Sequence, residues 1–176
     1  MKIVKLSTIV FFITCVSFET QAQTQTDKIV KDWERAKAYT LEYLDAMPES
    51  AYVLKPTNDM RSFAGQMLHL TDANFGFTAL ATGEKVPADR EQLEKTANIS
   101  KENVRKLVLD GYDYVINIVK KMTSEQLNEN ITLFDRFELT KQEALMKAFE
   151  HQTHHRGQTT VYLRLAGVTP PEEKLF

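Results

Sequence analysis

Four histidines carry the chemistry this sequence can offer: His69, His151, His154 and His155. At about 100° per residue, His151 and His155 lie one helical turn apart and project from one face. A pair at i and i+4 can put two imidazoles on one metal ion. With Leu145 at zero on the wheel, Ala148, Phe149, Leu163 and Ala166 form the apolar stripe. His155 falls at roughly −80° and His151 at roughly −120°, on its flank, and His154 near 180°, pointing away. His69 supplies a third imidazole from another segment. Ser62, Gly65, Ala73 and Gly76 share its side, a row of small residues that leaves space around one polar side chain. Three histidines on two helices, two at i and i+4, form a candidate site for one divalent ion. Nitrogen ligands suit zinc, nickel, cobalt or copper and give no reason to expect calcium or magnesium. Because each imidazole must be neutral to ligate, affinity is expected to fall below about pH 6.5.

One alternative fails on a single residue. His151-Gln152-Thr153-His154-His155 has the outline of a zincin helix, but Gln152 stands where the general-base glutamate must be. Glutamine cannot take a proton from water. Asp72, one turn after His69, is the best carboxylate for support of the site or as a general base, with a solvated position the competing reading. Gln158 lies on the histidine side and can hold a water or the second nitrogen of a ligand. Tyr162 either lines the pocket or belongs to the core. Arg156 and Arg164 are expected to pair with acids, and Gly157 to admit a close neighbouring helix.

The elements that position these residues follow from apolar period and punctuation. All five prolines fall outside the four segments of helical period, three between them and two beyond the last. The first runs from about Asp27 to Met47 and the second from about Asp59 to Ala81. The third starts behind Ser100 as N-cap, and the fourth opens with the capping box Thr140-Lys-Gln-Glu143 and closes at Gly167. The fold expected is all-α, a four-helix bundle with a long crossover between helices two and three, because some 18 residues from Thr82 to Ile99 separate them. The shorter link between helices one and two suits antiparallel neighbours. Asn130 to Leu139 reads as extended. The core should include Trp33, Phe63, Leu70, Phe77, Leu107, Val115, Leu145, Phe149 and Leu163.

Composition limits the partners. With 22 basic against 24 acidic residues, there is no basic stripe for nucleic acid. Lys2 and Lys5 precede 13 uncharged residues, Leu6 to Phe18, too few for the roughly 20 of a stable membrane span. Thr20 and Ala22 then offer small residues for cleavage. Residues 1–22 are therefore expected to be a secretion signal, with a single domain over 23–176 and a periplasmic or secreted product. A lipoprotein signal at Cys15 lacks the usual small residue before the cysteine. Removal of Lys2, Lys5 and Glu19 leaves a net charge of −3, and removal of the one cysteine, Cys15, leaves no thiol nucleophile.

The segment His151-Gln-Thr-His-His155-Arg-Gly-Gln158, followed by Tyr162-Leu-Arg-Leu-Ala-Gly167 and Pro170-Pro171, closely resembles the C-terminal signature of the DinB-like family. The stretch around Met67-Leu-His69-Leu resembles that family's upstream histidine segment. The resemblance covers roughly Asp27 to Pro171. It implies a four-helix bundle holding zinc or nickel through His69, His151 and His155, and frequent homodimers. It also implies either metal-dependent chemistry on a small-molecule substrate, including thiol S-transfer, or a member without established activity. Family members that transfer thiols work in the cytosol, which separates them from a chain expected to be exported. Two functional classes follow: a metalloenzyme activating water or a thiol, as a hydrolase or S-transferase, and a non-catalytic bundle that binds metal or a small ligand.

Overall fold

In the computed structural model the backbone is described for residues 7–176 and the side chains from residue 25 onward. The expected leader, residues 1–22, therefore lies outside the residues described with side chains. Four long helices carry the fold: α1 (Ser7–Ala46), α2 (Phe63–Thr82), α3 (Lys101–Val119) and α5 (Lys141–Leu165). A short helix α4 (Ser124–Leu127) and a hairpin of β1 (Asn130–Leu133) and β2 (Phe137–Thr140) stand between α3 and α5.

Local chemistry sets the starts of these helices. The Ser100 hydroxyl accepts from the Asn103 amide, and Thr140 and Glu143 make the reciprocal capping box at α5. Helix α2 begins four residues later than the apolar period indicates. Ser62 caps it through the Gly65 amide, while the Phe63 and Ala64 amides turn back to the carbonyls of Leu54 and Tyr52. Hydrogen bonds that hold the preceding loop thus replace the first turn that Asp59 would have begun.

The direction of each helix is visible in its end contacts. Lys101 at the start of α3 donates to the carbonyls of Asp45 and Met47 at the end of α1. Tyr162 near the end of α5 donates to the Arg61 carbonyl, just ahead of α2. So α1 and α5 run one way, and α2 and α3 the other. The link from Gly83 to Ser100 returns the chain along the bundle to start α3 parallel to α2, which is the expected crossover. Its path is pinned midway, where Arg90 pairs with Asp110 of α3 and the amides of Leu93 and Glu94 bond Asp72 of α2.

The packing order differs from the simple reading in one respect. Helices α1 and α2 are antiparallel but sit diagonally, because α3 and α5 each pack against both. Trp33 of α1 shows why: its ring meets Tyr112 of α3 at 5.8 Å and Phe149 of α5 at 5.4 Å, both edge-on. Gly111 of α3 packs closely on α2, where a Cβ would stand 2.6 Å from Thr71 Cγ2. Trp33, Phe63, Leu70, Leu107, Val115, Leu145 and Leu163 are buried as expected. Phe77 and Phe149 are only partly buried, because each stands at the edge of a surface cavity.

The extended stretch pairs with itself. Ile131 faces Leu139 and Leu133 faces Phe137, in an antiparallel register closed by an Arg136 amide to Leu133 carbonyl bond. Phe134 and Asp135 at the tip have φ of 54° and 53°. Two successive residues with left-handed φ thus turn the chain within the three-residue loop 134–136. Among the described residues no helix is long and apolar enough to cross a membrane.

Candidate metal centre

Helix period places His151 and His155 side by side on α5, and the close packing of α2 on α5 brings His69 to them. The ring centroids of His69 lie 5.2 Å from His151 and 4.5 Å from His155, and those two are 4.3 Å apart. One ligating atom from each falls within 4.8 Å of the others, a cluster able to hold a metal ion. His154 stays outside it. It is exposed, its ring meets that of His155 edge-on at 5.0 Å, and it accepts a hydrogen bond from the Gln158 amide at 2.8 Å.

The fit to a cation rests on two features of these imidazoles. The Nδ1 atoms of His151 and His155 are buried and have no hydrogen-bond partner among the described residues. Buried polar atoms are rarely left so, and a shared ion would satisfy lone pairs that the protein does not. Burial also pushes the His155 imidazole down to about 4, with His151, His69, His154 and Arg61 adding in the same direction. Burial and the neighbouring His69 lower His151 likewise. Both rings are therefore neutral near pH 7, the protonation state a ligand requires. Proton competition at His155 moves below the reference value near 6.5.

A carboxylate that sequence reasoning missed orients the third imidazole. Glu94, in the crossover, places Oε2 3.0 Å from His69 Nδ1. Arg61 donates to the other Glu94 oxygen. Burial works against charge on Glu94, but hydrogen bonds from Arg61 and His69 outweigh it and hold the carboxyl below its usual range. With Nδ1–H given to Glu94, Nε2 of His69 is left with its lone pair free. The only advance sign of Glu94 was an acidic residue in a link long enough to run back past His69.

The other singled-out residues take definite places. Both oxygens of Asp72 are occupied by the amides of Leu93 and Glu94, at 2.8 and 3.0 Å, so it clamps the turn that carries Glu94. Gln158 lies beside the site but bridges the Gln66 amide and His154. Tyr162 is core, and its hydroxyl bond to the Arg61 carbonyl steadies the residue that holds Glu94. Gln152, in the zincin glutamate position, is fully buried and accepts from Tyr112 and Arg156.

Two expectations fail here. Among the described residues Arg156 pairs with no acid; it is buried over the Tyr39 ring at 4.4 Å and bonds Gln152. Gly157 faces open space instead of a neighbouring helix, because its side of α5 is solvent-exposed.

Comparison with known proteins gives the family and the fold. The model of the DinB family matches residues 22–175. The uncharacterised protein YjoA of Bacillus subtilis (strain 168) is 27% identical over 148 residues, spanning 82% of this chain and 93% of its own. A DinB-like protein from Bacillus cereus ATCC 10987 shares the fold with a TM-score of 0.69 at 22% identity, over 84% of this chain and 97% of that one. YfiT of Bacillus subtilis, described as a probable metal-dependent hydrolase with an unusual four-helix bundle topology, superposes with a TM-score of 0.61 at 19% identity, over 83% of this chain and 90% of its own.

Proposed function

The chain belongs to the DinB family, and from that premise we propose that it is an exported metal-dependent hydrolase of a small-molecule substrate. His69, His151 and His155 would hold one divalent ion, zinc or nickel, leaving further coordination positions open. Bound there, such an ion supplies Lewis acidity toward water or a carbonyl group.

The observation that carries this reading is the converging triad, with two buried, unpartnered imidazole nitrogens and a third ring oriented by Glu94. Glu94 accepts the Nδ1 proton of His69 and fixes its tautomer, and Arg61 keeps Glu94 ionised. Hydrolysis is favoured over thiol S-transfer by the likeness to YfiT and by the expected export, since water is then the abundant co-substrate. The export rests on Lys2, Lys5, the uncharged stretch to Phe18 and the Thr20–Ala22 cleavage site. The homodimer implied by the family remains part of the proposal, checked by light scattering.

The deciding experiment is metal content by elemental analysis of the four single His→Ala variants after identical loading. Alanine at 69, 151 or 155 should abolish stoichiometric metal, and His154→Ala should retain it. Loss of the ion in His154→Ala with retention in His151→Ala would overturn the assignment. Mass spectrometry of native protein should find a mature chain starting near Gln23; an intact segment through Gln23 would refute export by cleavage.

A further inference from the structure

Beside the triad lies an open cavity of about 840 Å³ between α5 and the hairpin, reached by His151 and His154 on one wall. We propose that this cavity holds the body of the substrate, and that Phe134 and Phe137 select an uncharged, ring-bearing organic molecule whose reacting group reaches the histidines. The inference deepens the metal-centre reading and rests on it.

Three observations carry it. The first is an unbroken aromatic path from the hairpin to the triad. Phe134 meets Phe77 edge-on at 5.4 Å, and Phe77 meets the His151 ring at 5.8 Å. The second is the placement of Phe134 itself. It occupies a left-handed turn position, φ 54°, which favours Asn, Asp or Gly and disfavours a bulky side chain. Beyond its contact with Phe77, folding gives little reason to put a phenyl group there, since the residue stays 53% exposed; strained positions of this kind concentrate where a ligand is met. Phe137, 49% exposed, presents a second ring from the next strand. The third is charge. Arg136 and Lys147 line the cavity with Glu138 and Glu150, two of each sign. Lys147 already pairs with Glu150 at 2.9 Å, and Arg136 lies over the Phe137 ring at 5.2 Å. With its charges balanced and partly engaged, the cavity selects by apolar contact more than by charge.

The test uses the full zinc-loaded chain and two hydroxamates that share one metal-seeking headgroup, acetohydroxamate and 3-phenylpropionohydroxamate, titrated by calorimetry. The variant is Phe134→Asn, which removes the ring and supplies a residue that tolerates the left-handed turn, so the hairpin should persist. Leu80→Ala, an exposed apolar residue away from the cavity, is the control. The wild type and Leu80→Ala should bind the phenyl compound about tenfold or more tighter than acetohydroxamate. Phe134→Asn should cut that advantage to about two- or threefold while acetohydroxamate affinity is unchanged. Equal wild-type affinities for the two compounds, with zinc bound, would overturn the pocket assignment and leave the metal reading standing. Absence of stoichiometric zinc would remove both. An unchanged ratio in Phe134→Asn accompanied by loss of a dimer in light scattering would identify the rings as a contact between copies, and the proposal would be wrong.

Discussion

Replacing Glu94 or Asp72 by alanine should weaken metal binding by nearly the same factor, and replacing both should cost little more than either alone. Glu94 touches the site directly, through the 3.0 Å contact with His69 Nδ1. Removing such an outer carboxylate generally lowers metal affinity by about 10- to 100-fold. The Glu94 and His69 side chains remain 33% and 27% exposed, so water takes over part of the lost hydrogen bond and the lower end applies. That is about tenfold, or about 1.4 kcal/mol. Asp72 touches no histidine. Its carboxylate holds the amides of Leu93 and Glu94, each bond contributing about 1 kcal/mol at this partly exposed position. Releasing the turn by about 2 kcal/mol frees Glu94 from His69, so Asp72→Ala reaches the metal through Glu94. Dissociation constants come from competition with a chromophoric chelator for the wild type, both single variants and the double variant. Independent effects would multiply to about 100-fold in the double variant, and that result would refute the clamp. So would an Asp72→Ala variant with wild-type metal affinity.

The two helical glycines should respond in opposite senses to alanine, read from urea midpoints. Gly157→Ala, with open space around its Cβ, should stabilise the fold by about 0.5–1 kcal/mol, while Gly111→Ala should destabilise it by about 1–3 kcal/mol because Thr71 Cγ2 stands 2.6 Å from the new atom. The metal-free protein should lose stability as pH falls from about 6.5 toward 4. Unfolded His155 takes up a proton near its ordinary value, whereas the folded residue, depressed to about 4 by burial and by His151, His69, His154 and Arg61, refuses it. His155→Gln should flatten that part of the urea-midpoint profile, and an unchanged slope between pH 6.5 and 4.5 would contradict the sign.

Much of the centre was legible because its strongest half is local. The i and i+4 spacing of His151 and His155 is converted into a shared face by helix geometry alone, whatever the rest of the chain does. The same rotation puts His154 outside. Caps at Ser100 and Thr140 and the glycine and prolines after α5 were equally local, since each satisfies backbone groups within a few residues. Apolar period also marked most of the core, but not that Phe77 and Phe149 would stand at cavity edges, because the wheel gives a face and not its covering.

What tertiary structure alone decided lies where two distant segments meet. Glu94 sits in a link without period, and nothing in its neighbours states that Asp72 will capture the turn and set the carboxylate against His69. The diagonal placement of α1 and α2 depends on the crossover, which lets α3 run parallel to α2 and pack between them. Phe134 reads locally as an ordinary extended residue; the Leu133–Phe137 pairing forces it into the turn and over Phe77. Arg156 looks like a surface charge until Tyr39 and Gln152 enclose it. Helical geometry relates residues a few positions apart by one fixed rotation, so their common face follows from sequence. Contacts across 20 or more residues depend on how loops close and helices pack, and no single segment contains that information.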